Sequence, residues 1–165
     1  MGRQIMDDDF TPLEQRAWGG LLGMHGRMLR WIDTDLHDHS RITHVEFEAL
    51  LRLSWAEGHR LRIQDLAAQS VITRSGMSRV VERLERAGLL TREDANEDRR
   101  GAYAVLTEAG LTRLRSALHA HVVFVRRHFL EVFSDQELEQ MGMFWRRVEE
   151  HQAGRAPSEP ERKHG

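Results

Sequence analysis

The stretch Arg74–Ala87 sets the tightest limit on what this chain can fold into. Met77, Val80, Val81 and Leu84 recur at three- and four-residue steps, so a helix here has one apolar face to bury. Thr73, Arg74, Ser75, Ser78, Arg79 and Arg83 are left outside it. Gly88 follows, at the position where a left-handed backbone suits glycine and ends a helix. Upstream, Gln64–Ser70 reads as a short helix with Leu66 and Ala67 buried, and Val71–Thr73 as a tight turn. His59–Ile63 alternates polar and apolar residues, which predicts a short strand. Downstream, Leu89–Arg92 and Ala102–Leu106 suit strands joined by the charged connection Glu93–Gly101, a hairpin with a long tip. The order is short strand, helix, tight turn, helix, two-stranded hairpin.

Helix dominates on either side. Thr11 caps a helix with Pro12 and Glu14 in its first turn. Leu13, Ala17, Leu21, Met24, Met28, Trp31 and Ile32 carry its periodicity to about His37. Gly19, Gly20, Gly23 and Gly26 lower its propensity and permit close helix approach or a kink. Thr43 and Glu46 form a capping box, with Phe47, Leu50, Leu51 and Trp55 as the buried stripe and Glu57-Gly58 as the stop. Thr107 caps a helix marked by Leu111, Leu114, Leu118, Val122, Val125 and Phe129. Ser134 and Glu137 open a last one, with Leu138, Met141, Phe144, Trp145 and Val148 inside.

The expected fold is mainly α with a small β-hairpin wing. Residues 1–11 are a polar lead-in, 12–57 the N-terminal helices, 58–107 the central lobe, 108–152 the C-terminal helices, and 153–165 a polar tail read as disordered. The 165 residues include no cysteine, which excludes disulfides and thiolate sites. No apolar run approaches the ~20 residues of a membrane helix, and the acidic start MGRQIMDDDF lacks the order of a signal peptide. A cytoplasmic protein with no membrane association is expected. No phosphate-binding loop, dinucleotide fingerprint, Gly-x-Ser-x-Gly or His-Glu-x-x-His motif occurs, so no enzyme and no cofactor are expected.

The central segment has the chemistry of a DNA-reading element. A helix about 10–12 Å across fits the major groove, and the second helix of such a pair is the one that enters. Thr73 and Ser75 lie at the N-terminus of Arg74–Ala87, where free N–H groups favour phosphate. Ser78 and Arg79 sit one turn further in, within reach of base edges, where an arginine fork can bond guanine. Arg99 and Arg100 at the hairpin tip suit the minor groove or backbone, with Asp98 orienting one of them. The net charge of −2 speaks weakly against nucleic acid, but nine arginines against seven acids lie between Arg60 and Leu106. Taken singly, Arg79, Glu82, Arg83 and Arg86 would serve equally as paired charges on a solvated face. The order of elements favours the reading helix.

The run from Val71 to Leu90, with Arg74-Ser75-Gly76-Met77-Ser78-Arg79-Val80-Val81 at its centre, resembles the recognition helix of MarR-type (multiple antibiotic resistance) regulators. Asp98-Arg99-Arg100-Gly101 and then Leu106-Thr107-Glu108-Ala109-Gly110 resemble that family's wing and the start of its next helix. The resemblance runs from about Leu13 to Glu150. It implies a winged helix-turn-helix lobe flanked by N- and C-terminal dimerisation helices. It also implies an obligate homodimer on pseudo-palindromic promoter DNA, usually a repressor released by a small ligand. Two such helices predict half-sites roughly 10 bp apart. The alternative is a helical dimer acting through protein partners without DNA.

The sensing branches of the family differ in their chemistry. Oxidant sensing through cysteine is excluded. A zinc site needs three or four ligands; His37, His39, His44, His119 and His121 do not assemble one by spacing, so no metal is expected. For an amphipathic or phenolic anion, the candidate contacts are Trp18, His25, Arg27, Trp31 and His44.

Overall fold

A computed structural model describes residues 10–70, 72–94 and 101–154. The elements are α1 (Pro12–Ser40), α2 (His44–Trp55), β1 (Arg60–Arg62), α3 (Ile63–Ala68), α4 (Arg74–Arg86), β2 (Leu90–Asp94), β3 (Ala102–Leu106), α5 (Glu108–His128) and α6 (Asp135–Ala153). The chain divides into two units, Met1–Phe124 and Val125–Gly165. No helix among the described residues is long and apolar enough to cross a membrane.

The helix starts follow the predicted capping chemistry. Thr11, Thr43 and Ser134 each accept from the backbone N–H three residues on, and Glu14, Glu46 and Glu137 each reach back to the cap's own N–H at 2.8 Å. Those bonds hold the Glu14 and Glu137 carboxyls below the usual carboxylate range. α1 runs without interruption through its glycines and reaches Ser40, beyond the expected end at His37. Around Gly19, Gly20 and Gly23 the space is open.

The first unit has one core. Leu36 of α1, Leu50 and Leu53 of α2, Leu66 of α3, Met77, Val81 and Leu84 of α4, and Leu90 of β2 are fully buried in it. The three strands form one antiparallel sheet in the order β1-β3-β2, with Leu61 opposite Ala104 and Leu90 opposite Leu106. Alternation then divides the sheet. Leu61, Leu90, Ala104 and Leu106 share the inner face; Arg60, Arg62, Glu93 and Tyr103 share the outer one. There Arg60 stacks 4.2 Å from the Tyr103 ring centroid, and the Arg62 Nε donates to its hydroxyl.

Two expectations about burial fail. Trp55 is 73% exposed. The buried face of α2 is Glu46, Ala49, Leu50 and Leu53, with Phe47 at its side, and Trp55 lies two residues past Leu53, off that face. In α6, Phe144, Trp145 and Val148 are exposed rather than inside, and Leu138 and Met141 only half-buried. The periodicity of that helix is real, but nothing within its own unit covers the stripe. In α5, Leu118 and Val122 are likewise exposed, whereas Leu114 is buried.

The end of α4 and the start of α5 lock together. Gly88, at φ 70°, continues into the bonds Gly88 N–H to Glu85 carbonyl and Leu89 N–H to Leu84 carbonyl, a Schellman ending. The Thr107 hydroxyl donates to the Gly88 carbonyl at 2.8 Å and accepts from Gly110 N–H at 3.0 Å. Gly110 is buried, and a Cβ there would run into the Leu89 carbonyl and the Leu106 side chain. Gly110→Ala should therefore cost about 1–3 kcal/mol by overpacking against backbone. Thermal unfolding would register this as a lower Tm.

His121 of α5 packs on Phe47 of α2, ring centroids 5.0 Å apart, and its buried Nδ1 has no hydrogen-bond partner among the described residues. Burial, and then the neighbouring His44, lower its pKa; Asp35 works weakly the other way. The unfolded chain then binds this proton more readily than the folded one. The contribution to stability is complete above about pH 6.5 and is lost as pH falls through the depressed value. In denaturant titrations, His121→Gln should flatten the acid side of the stability profile. An unchanged profile would count against this assignment.

Candidate nucleic-acid interface

α4 is fixed on one face and open on the other. Met77, Val80, Val81 and Leu84 are buried, whereas Thr73, Arg74, Ser75 and Arg79 are exposed and Ser78 is half-buried. The Thr73 hydroxyl accepts from Gly76 N–H at 3.1 Å and pairs with the Ser75 hydroxyl at 3.1 Å. Because Arg74 and Ser75 are the first two residues of the helix, their N–H groups have no partner within it. That end of α4 thus offers N–H donors and two hydroxyls together. Ser78 spends its own proton on the Arg74 carbonyl, so its oxygen is left as an acceptor.

The arginines divide into three kinds. Arg86 forms the solvated pair with Glu82, 2.8 Å, one helical turn away. Arg83 reaches across to α2, its Nε donating to Glu46 Oε1 at 2.8 Å, and half of its side chain remains exposed. Arg74 and Arg79 have no carboxylate partner among the described residues. Of the four charges that could have formed one paired surface, only Glu82 and Arg86 do so.

Three contributors were not singled out in the sequence. Glu46 was visible only as a capping residue, yet it is 8% exposed and also holds Arg83. Arg92 of β2 donates from Nη2 to the Ser78 carbonyl at 3.1 Å and lies 3.4 Å from Glu85, tying the sheet to α4. Tyr103 gathers Arg60 and Arg62 on the outer sheet face. The place of Arg92 two residues after Leu90, on the same face of a strand, was the one available signal for it. Nothing local indicated the other two contacts, which join residues far apart in sequence.

Asp98, Arg99 and Arg100 lie outside the described residues, as does Val71. The effector candidates Trp18, His25, Arg27 and Trp31 are spread along exposed positions of α1, and His44 is half-buried with its N–H donating to Asp33. The structure does not gather them into one site. No group of three or more potential metal ligands occurs among the described residues.

Residues 42–101 match the model of the MarR family. Among solved structures, AbsC, a MarR family transcriptional regulator from Streptomyces coelicolor, is 35% identical with a TM-score of 0.78, covering 88% of this chain and 98% of that one. Sco3205, a MarR family regulator from the same organism in complex with DNA, is 32% identical with a TM-score of 0.81, covering 93% and 94%. The repressor YetL of Bacillus subtilis is 32% identical over 92 residues, 56% of this chain and 54% of its own length. The chain spans 54 to 60% of the length of three curated relatives that it matches. Similarity at this level over nearly the whole of two solved regulators places the chain in the MarR family of winged-helix transcriptional regulators.

Proposed function

We propose that this protein is a homodimeric repressor that binds a pseudo-palindromic promoter site through α4 and is released by a small effector. The observation that carries the DNA reading is the pair Arg74 and Arg79, exposed and without carboxylate partners among the described residues, on a helix whose opposite face is buried. Unpaired guanidinium groups beside helix N–H donors suit phosphates and base edges. The relative Sco3205, crystallised with DNA, supports the same reading.

Each residue has a role in this proposal. Thr73, Arg74 and Ser75 meet phosphate at the start of α4. Ser78 and Arg79 meet bases. Arg83 steadies the helix through Glu46 and offers its exposed half to the backbone. Arg99 and Arg100, with Asp98 orienting one of them, reach the adjacent minor groove or backbone.

The dimer reading rests on uncovered apolar surface. Trp18, Leu21 and Leu22 of α1 are exposed in the first unit, and Phe144, Trp145 and Val148 of α6 in the second. Exposed stripes of this kind mark interaction faces, and two copies would set two α4 helices at a fixed spacing on DNA.

Anisotropy titrations with the protein's own upstream DNA test the central reading. Binding should weaken steeply with salt as counterions are released. Arg79→Ala should lose about 1–3 kcal/mol of discrimination between sites, whereas Arg100→Ala should weaken binding to all sequences alike. A confirmed dimer with no affinity for DNA at low salt would favour action through protein partners instead. In sedimentation velocity, the double variant Trp145→Glu, Val148→Glu should shift the wild-type dimer to monomer; a wild type that sediments as a monomer would sink the dimer.

A further inference from the structure

Arg92 occupies a strand position that would ordinarily carry an apolar side chain. It stands two residues after the buried Leu90, so both point to the inner face of the sheet, and Arg92 lies opposite the buried Ala104. At the margin of that face its side chain is 37% exposed, and its guanidinium turns onto α4. Nη2 donates to the Ser78 carbonyl at 3.1 Å, and Nε lies 3.4 Å from Glu85 Oε2. Ser78 and Glu85 are two turns apart on one face of the helix, about 10 Å along its axis. Helix carbonyls point toward the C-terminus and side chains lean toward the N-terminus. One guanidinium therefore meets a carbonyl on one side and a carboxylate on the other.

The Ser78 carbonyl is the contact with consequences. Inside a helix a carbonyl accepts from the N–H four residues on, so Arg92 takes its second lone pair. That carbonyl shares one rigid peptide plane with the N and Cα of Arg79. A donor held on it fixes the plane from which the Arg79 side chain starts. Arg79 has no carboxylate partner among the described residues, so no ion pair there aims its fork.

We propose that Arg92 is a positioning residue for base recognition, acting through the Ser78–Arg79 peptide without touching DNA itself. The proposal rests on the reading of α4 as the DNA-binding helix. Arg92 is balanced by Glu85, unlike Arg74 and Arg79, and two of its three nitrogens are committed to α4. Attraction to phosphate depends on charge, whereas discrimination between bases depends on where a fork points. Releasing the Ser78 carbonyl should therefore lower discrimination and leave the salt dependence of binding alone. Lysine cannot substitute, because a single nitrogen lacks the fork that serves both acceptors.

Anisotropy titrations of the full-length protein test this, using a duplex selected by the wild type from a random pool and the same duplex with single base pairs changed. A bidentate base contact is worth about 5- to 150-fold in discrimination. Arg92→Lys should lose about fivefold or more at the pair read by Arg79, with charge retained. In an Arg79→Ala background the same change should cost nothing further at that pair, because no fork remains to be aimed. Arg92→Gln should lose discrimination too and keep the wild-type salt slope. In the DNA-free protein, both Arg92 variants should move the Arg79 amide nitrogen shift, which reports the bond on the Ser78 carbonyl. The proposal is overturned if Arg92→Lys discriminates as the wild type does, if its loss persists in the Arg79→Ala background, or if the Arg79 shift stays put. A salt slope for Arg92→Gln reduced by about one phosphate would mean that Arg92 contacts DNA directly, and would overturn it as well. A wild type without affinity for any duplex would instead overturn the DNA reading, and this proposal with it.

Discussion

The placement of α4 turns on one buried carboxylate. Glu46 accepts the Thr43 N–H and hydroxyl through Oε2 and the Arg83 Nε through Oε1. A carboxylate removed from water is costly unless its oxygens are bonded, and here both are. The first two bonds start α2; the third fixes α4 against it. Apolar packing of Met77, Val80, Val81 and Leu84 determines which face of α4 is buried, but such packing is non-directional. The Glu46–Arg83 bond adds direction, limiting rotation of α4 about its own axis. Rotation of that kind would turn the exposed Arg79 in another direction.

A second set of constraints fixes the C-terminal ending of the helix. The Schellman ending at Gly88, the Thr107 hydroxyl on the Gly88 carbonyl, and the close approach of Gly110 to Leu89 bring α5 against the turn that follows α4. Arg92 then ties β2 to the Ser78 carbonyl, beside Arg79. α4 is therefore held at its C-terminal end, at mid-helix and along one side, and its exposed side is the one where Arg74 and Arg79 have no carboxylate partner among the described residues.

Much of this was legible in the sequence because its causes are local. A capping box needs only residues three apart: both expected boxes form, and the expected cap Thr11 makes a third with Glu14. The apolar periodicity of α4 and the glycine at its end located the helix to within a residue. The reading failed where the cause was distant or lay outside the chain's own fold. Trp55 was assigned to a buried stripe because it lies four residues past Leu51, but Leu53 set the phase of α2. Arg83 looked like part of a solvated charge pattern or a DNA contact; its partner lies 37 positions earlier in the chain. Gly110 looked like part of a family signature, and only its proximity to the Leu89 backbone gives the reason for glycine there.

The misjudged stripe of α6 carries a different lesson. Periodicity reports that a face is to be buried, not what buries it. Phe144, Trp145 and Val148 satisfy the pattern and stay exposed, as do Trp18, Leu21 and Leu22 on α1 and Leu118, Val122 and Val123 on α5. Isolated apolar residues on a surface need no explanation; stripes on several helices do. The core of the first unit closes around α4 without them, so their burial is not what holds the reading helix in place. In the proposed dimer they do a separate task, joining two lobes whose local geometry is already complete. Dimer contacts would then govern the distance between two reading helices, and the contacts of Glu46, Gly110 and Arg92 the orientation of each.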